Sequence, residues 1–176
     1  MVREKQMNES KYLIEKALIR ILKKKPLDKI SMTEIAKEAT VVRMTLYRHF
    51  SNKEEIIFSI IERKVDQMIS EFTHKTRPSI HDFLLLRFNF LNESPFTEML
   101  FRQNHLDKLL ILIRHRSIGK LGFMSLNDYS PFIIEFIGGG IDAITVKWVA
   151  EGMIESPENM AKKTEELIVM IGSALK

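Results

Sequence analysis

The chain has 176 residues, 45% of them hydrophobic, with seven glycines, five prolines and no cysteine. That apolar mass suffices for the core of one larger domain or two small ones, the few breaks suit long helices, and disulfide and thiolate chemistry are excluded. The net charge of +4 conceals a division: residues 1–53 hold 13 Lys/Arg against 6 Asp/Glu, and residues 54–176 hold 14 against 17.

A basic first third is the electrostatic footprint expected on nucleic acid, and it is equally the composition of a solvated, lysine-rich surface. The opening MVREKQMNES has no apolar core and does not read as a signal peptide. No apolar run approaches the roughly 18 residues of a membrane helix, so a cytoplasmic setting is expected.

In chain order, residues 8–25 predict a first helix. Ile14, Ala17, Leu18, Ile21 and Leu22 follow the i, i+3, i+4, i+7, i+8 stripe, and Pro26 stops it. Lys24 and Lys25 stand at its end, where cations complement the helix dipole. Ser31 opens a second helix and forms an S-x-x-E capping box with Glu34. Met32, Ile35, Ala36 and Ala39 face inward. Thr33 lies at the exposed start, placed either for a phosphate or simply for capping.

A third helix is expected from Val42 to His49. It is too short to stand alone, since isolated helices below about 12 residues are marginal in water. Leu46 and Phe50, at i and i+4, should pin it to the core. Arg43, Met44, Thr45, Tyr47, Arg48 and His49 then crowd a small surface, which is how donors are presented to a DNA groove and its flanking phosphates. Ser51 and Glu54 read as a second capping box. Lys53 between them opposes the helix dipole unless a phosphate sits there.

A long fourth helix is expected to about Lys75, with Ile57, Ile61, Val65, Met68 and Phe72 as its stripe. Ser79 is placed to cap the next. Residues 80–126 are helical in character, with breaks at Asn92–Pro95 and Gly119–Gly122. Phe83, Phe88, Phe101, Phe123 and Trp148 are candidates to line a pocket for an apolar or aromatic effector; the same residues also suit plain core. Residues 130–151 predict a further helix in spite of Gly138-Gly139-Gly140, each of which costs roughly 1 kcal/mol against alanine. Such a run calls for a kink, a close neighbouring helix or room for a ligand. Ser156-Pro157-Glu158 starts the last helix, with Met160, Thr164, Leu167, Ile171 and Ala174 as its stripe. The two C-terminal helices, about 130–151 and 156–175, could form a four-helix bundle with a twofold mate or an ordinary intrachain bundle.

Residues 31–54, SMTEIAKEATVVRMTLYRHFSNKE, resemble the DNA-binding helix-turn-helix of TetR-type bacterial transcriptional regulators. The resemblance rests on Ile35-Ala36, on TLYRHF at Thr45 to Phe50 and on SNKE at Ser51 to Glu54. It covers residues 10–60, and a GGGI…KW…G…SPE pattern is similar to one branch of the family. It implies an all-α protein with a helix-turn-helix DNA-binding domain at residues 1–53. Residues 54–176 would be a helical bundle for dimerisation and ligand binding. It further implies a homodimer on a palindromic operator, a small-molecule inducer and repression. Carried over by position, Arg43 and Met44 would lie at the major groove, and Thr45, Tyr47, His49 and Lys53 would mainly hold phosphates. Arg48 could do either.

The sequence departs from the family at Thr40, where glycine is common in the turn, at Val42, where a small polar cap is common, and at Met44, another frequent glycine. A regulator answering to a protein partner instead of a small ligand is the alternative. Enzyme chemistry is not expected. His49, His74, His81, His105 and His115 show no H-E-x-x-H spacing, and there is neither a Gly-rich phosphate loop nor a G-x-S-x-G elbow. No cofactor or metal is expected.

Overall fold

The computed structural model describes residues 2–74, 79–117 and 131–174. Among these the chain forms nine α-helices and one 3-10 turn, with no strand. The chain divides into two compact units, Met1–Lys64 and Val65–Lys176. The division falls within the fourth helix, later in the chain than the 53/54 boundary expected from sequence.

The N-terminal unit contains α1 (Val2–Leu22), the 3-10 turn Leu27–Lys29, α2 (Met32–Glu38), α3 (Arg43–His49) and the start of α4 (Lys53–Thr73). Helix α1 begins well before the expected residue 8. The apolar stripe then closes the core. Ile14, Ala17 and Leu18 of α1, Ile35 of α2, Leu46 of α3 and Ile60 of α4 are all 0% exposed. Each fully buried large aliphatic side chain here contributes about 1.5–3 kcal/mol. One member of that core is charged: Glu15 is 3% exposed. Its carboxylate accepts from Ser59 Oγ at 2.7 Å and Arg63 Nε at 2.9 Å, so two α4 residues satisfy it.

The second unit holds the rest of α4, α5 (Ile80–Glu93), α6 (Thr97–Arg102), α7 (Leu106–Ser117), α8 (Pro131–Ala150) and α9 (Pro157–Ala174). Ser79 caps α5 through a full capping box with Asp82, as its position suggests. The expected break at Asn92–Pro95 falls where α5 ends, whereas the one at Gly119–Gly122 lies outside the described residues. Helix α9 packs along α5, and α7 packs on α8. Buried hydroxyls bond back to their own helices, Thr145 Oγ1 to Ile141 O and Thr164 Oγ1 to Met160 O, both at 2.7 Å. Trp148 Nε1 donates to Glu155 O at 2.8 Å and ties the end of α8 to the following turn.

The stripe of α9 divides along its length. Met160 and Thr164 are buried, but Leu167 is 41% exposed and Ile171 is half-buried. No helix among the described residues is long and apolar enough to cross a membrane.

Candidate nucleic-acid interface

The turn into α3 is a Schellman motif with threonine in glycine's place. Val41 N–H donates to Ala36 O at 3.0 Å and Thr40 N–H to Lys37 O at 3.1 Å, the two bonds that define the motif. Thr40 has φ +56°. The turn therefore keeps its left-handed residue in spite of the β-branch, and a non-glycine residue held there costs of order 1–3 kcal/mol. The Thr40 hydroxyl donates to Ala39 O at 2.7 Å. Val42 then enters α3 in extended conformation and supplies no side-chain cap.

Burial sorts the α3 residues. Leu46 is 0% exposed and Phe50 4%, so this helix is anchored by the pair expected from spacing. Arg43, Met44, Tyr47 and Arg48 are exposed, Met44 to 82%. Thr45 and His49 are half-buried, and Thr33 is exposed at the start of α2. The Arg43 guanidinium lies 5.9 Å from the Tyr47 ring centroid, so the two side chains hold each other in place. Lys11 of α1 approaches the Phe50 ring at 5.8 Å.

Burial lowers the His49 pKa, and the cations of Arg48 and Lys11 lower it further. Its Nε2 is buried without a hydrogen-bond partner among the described residues. The ring is therefore neutral near pH 7, at the end of a helix whose exposed side carries only cations and neutral groups.

Two cations near the end of α1 are engaged in ion pairs. Lys25 Nζ donates to Glu34 at 2.6 Å and Arg20 Nε to Glu38 at 2.7 Å. The Glu34 carboxylate is thus drawn away from its expected box. Ser31 Oγ still accepts from Glu34 N–H at 3.2 Å, but only that half of the box forms. The cap of α4 is shifted by one residue from the expected Ser51–Glu54 pair. Asn52 Oδ1 accepts from Glu55 N–H at 2.9 Å, and the Glu55 carboxylate accepts from Ser51 N–H at 2.7 Å. Lys53, at the first position of α4, turns its ammonium to the 3-10 turn and donates to Leu27 O at 2.7 Å and Ile30 O at 3.3 Å. An ammonium has three donors, so one remains for an anion. Sequence reasoning missed this brace and the buried Glu15, because neither long-range partner can be read from local spacing.

In the second unit, Phe88 and Trp148 meet edge to face at 5.3 Å, and Phe83 meets Phe72 at 5.6 Å. Phe101 is half-buried, and Phe123 lies outside the described residues. A groove of about 620 Å³ runs between α8 and α9, lined by Ile144, Trp148, Met160 and Leu167 among others. Of the aromatic candidates among the described residues, only Trp148 borders it.

A polar cluster lies elsewhere in the same unit. Arg87 of α5 is 2% exposed and donates through Nη2 to Asp142 of α8 at 2.6 Å. Arg114 of α7 places Nε 3.4 Å from the other Asp142 oxygen and bonds Glu135 through Nη1 at 2.9 Å. Burial lowers the Arg87 pKa, the Asp142 carboxylate opposes that, and the Arg114 charge adds to the lowering. The Nε atoms of Arg87 and Arg114 are buried without hydrogen-bond partners among the described residues, a desolvation cost of about 1–3 kcal/mol for each N–H. Gly138 explains part of the glycine run. A Cβ there would stand 2.7 Å from Arg114 Cδ, whereas at Gly139 and Gly140 it would meet nothing within 4 Å.

Residues 14–60 match the model of bacterial regulatory proteins of the tetR family, and residues 79–169 match a transcriptional regulator C-terminal region. An HTH-type transcriptional regulator of Staphylococcus aureus strain USA300 is 34% identical over 68 residues, which are 39% of this chain and 37% of that protein. The chain thus spans little more than a third of the length of the curated relatives it matches. Among solved structures, a TetR transcriptional regulator from Streptococcus agalactiae 2603V has the same fold, with a TM-score of 0.64 and 17% identity over 96% of this chain and 98% of that one. The dihydroxyacetone kinase operon activator DhaS aligns with a TM-score of 0.62 and 20% identity, over 92% and 94% of the two chains. Each is described as a regulator of transcription and not as an enzyme. The matched segments cover both units, and the chain belongs to the TetR family of bacterial helix-turn-helix transcriptional regulators.

Proposed function

We propose that this regulator binds a palindromic operator as a homodimer, represses transcription there, and is released by a small-molecule effector held in residues 65–176. The observation that carries the DNA reading is the exposed side of α3, where Arg43, Met44, Tyr47 and Arg48 stand free of the core beneath Leu46. Arg43 and Met44 are assigned to base edges in the major groove, with Met44 suited to a thymine methyl. Thr33, Thr45, Tyr47, His49 and the remaining Lys53 donor are assigned to phosphates, and Arg48 to either.

Dimerisation is assigned to α8 and α9. Phe132 is 84% exposed, Phe136 67% and Val169 62%, an apolar surface that a twofold mate would cover. Open space over Gly139 and Gly140 would let the mate's helix approach closely. The effector is assigned to the aromatic residues Phe83, Phe88, Phe101, Phe123 and Trp148. It can shift the protein only through different affinity for the two states. The working compartment is the cytoplasm.

Footprinting on the DNA upstream of its own gene tests the assignment. A protected palindrome with half-sites about one helical turn apart is expected. Protection of a single half-site by a monomer would refute the dimer reading. A rise in transcript on deleting the gene marks repression, and a fall marks activation.

A further inference from the structure

We propose that Arg87 and Arg114 form the recognition point for a carboxylate effector, which on binding takes the place of the Asp142 carboxylate. The inference rests on the reading of residues 65–176 as the effector-binding half and names the chemical class of the ligand.

One carboxylate on α8 serves two guanidiniums from two other helices. Its service is incomplete. The edge of an arginine formed by Nε and one Nη is a fork that takes two carboxylate oxygens in parallel. Asp142 occupies only the Nη2 tine of Arg87, at 2.6 Å, and reaches Arg114 Nε only at ion-pair distance. Both Nε–H donors are buried and find no acceptor among the described residues. Glu135 offers little relief, because its side chain is 60% exposed and pairs with Arg114 through Nη1.

The seat is also shaped. Gly138 leaves the space that the Arg114 chain fills. Leu84 and Leu91, three and four residues from Arg87 on α5, are both fully buried, so an apolar tail would reach them only by displacing the side chains that cover them. A free carboxylate has the planar, two-oxygen form that would close the Arg87 fork. Asp142 would then be released from α5. Since Asp142 shares α8 with Phe132 and Phe136, the exchange would act on the helix assigned to the dimer face.

Trp148, the single tryptophan of the sequence, is the reporter. It lies on α8, with its ring against Phe88, the residue after Arg87. The full chain is titrated with sodium hexanoate, with 1-hexanol, with inorganic phosphate, and with sodium chloride at matched ionic strength. Hexanoate alone should give a saturable change in Trp148 emission. In Arg114→Lys, which keeps the charge but loses the fork, its Kd should rise about tenfold or more. In Asp142→Asn, where the internal competitor is gone, the Kd should fall. If Asp142→Asn does not fold, the wild-type and Arg114→Lys titrations decide alone.

No response to hexanoate, an equal response to hexanol or phosphate, or an unchanged Kd in Arg114→Lys would overturn the inference. Operator binding by the same preparation is measured in parallel. If it persists without a carboxylate response, this inference fails and the regulatory function stands.

Discussion

The two compact units handle buried charge in opposite ways. In the N-terminal unit the buried Glu15 is answered by Ser59 and Arg63, while Arg20 and Lys25, on the more exposed side, pair with Glu38 and Glu34. The exposed donors of α3, Arg43 and Arg48 among them, are in no such ion pair among the described residues. In the C-terminal unit two arginines share one aspartate, and two buried N–H groups lack acceptors among the described residues. A satisfied network rigidifies and specifies one arrangement, whereas a partly satisfied one leaves room for another. The contrast suits a rigid reading surface on one side of the chain and a ligand-responsive core on the other.

The contrast can be broken within α3 itself. Leu46→Ala should cost about 2–5 kcal/mol of stability, since it opens a cavity where the helix is anchored. Met44→Ala, about half a turn away and exposed, should change stability by under about 0.5 kcal/mol while altering DNA affinity. Denaturant melts beside anisotropy titrations separate the two, and equal stability losses would contradict the burial pattern.

Arg43→Ala should weaken operator binding by about 1–3 kcal/mol and relax one base preference, with the melt unchanged. Lys53→Ala should weaken binding to all sequences alike and reduce the salt slope by about 1. Because Lys53 also braces the 3-10 turn at Leu27 and Ile30, that variant should melt earlier as well. A Lys53 variant with lost binding and an untouched melt would mean that the brace contributes nothing.

Much of the N-terminal unit was legible because its signals are local. The Leu46 and Phe50 anchor and the exposed set on α3 follow from spacing within a few residues; the turn at Thr40 was marked only by the family's frequent glycine, and it keeps the left-handed φ instead of changing locally. The cap of α4 was read one step wrong because Asn52 competes with Ser51, and the box at α2 formed only in half because Lys25 claims Glu34. Glu15 was invisible: its partners lie on α4, far along the chain. In the second unit the Ser79 cap and the α9 start were local and readable. The Arg87–Asp142–Arg114 cluster was not, since nothing in the sequence distinguishes a buried arginine from a surface one. Gly138 announced itself as costly, but its reason became visible only with Arg114 in place.

Two smaller effects sharpen the picture of the reading surface. Thr40→Gly should raise stability by about 1 kcal/mol by relieving the left-handed strain. A loss of stability on that change would mean that the Thr40 hydroxyl bond outweighs the backbone term. His49 should give a slight pH dependence. Its folded pKa is depressed below the ordinary 6.5, so the unfolded chain takes up the proton first. The contribution is therefore present above pH 6.5 and is lost as pH falls through that value toward the folded pKa. The melting temperature of the wild type should fall relative to that of His49→Gln as the pH drops from neutral to mildly acidic. A constant gap would contradict the assignment.

The central claim, specific reading of DNA by α3, is tested most directly by fluorescence anisotropy. The duplex from immediately upstream of the gene is compared with a scrambled duplex at two salt concentrations. The account predicts tight binding to the upstream duplex that survives higher salt, together with weak binding to the scrambled one. Equal binding to both duplexes that collapses with salt would show only the basic charge of residues 1–53 and would contradict sequence-specific reading at that site.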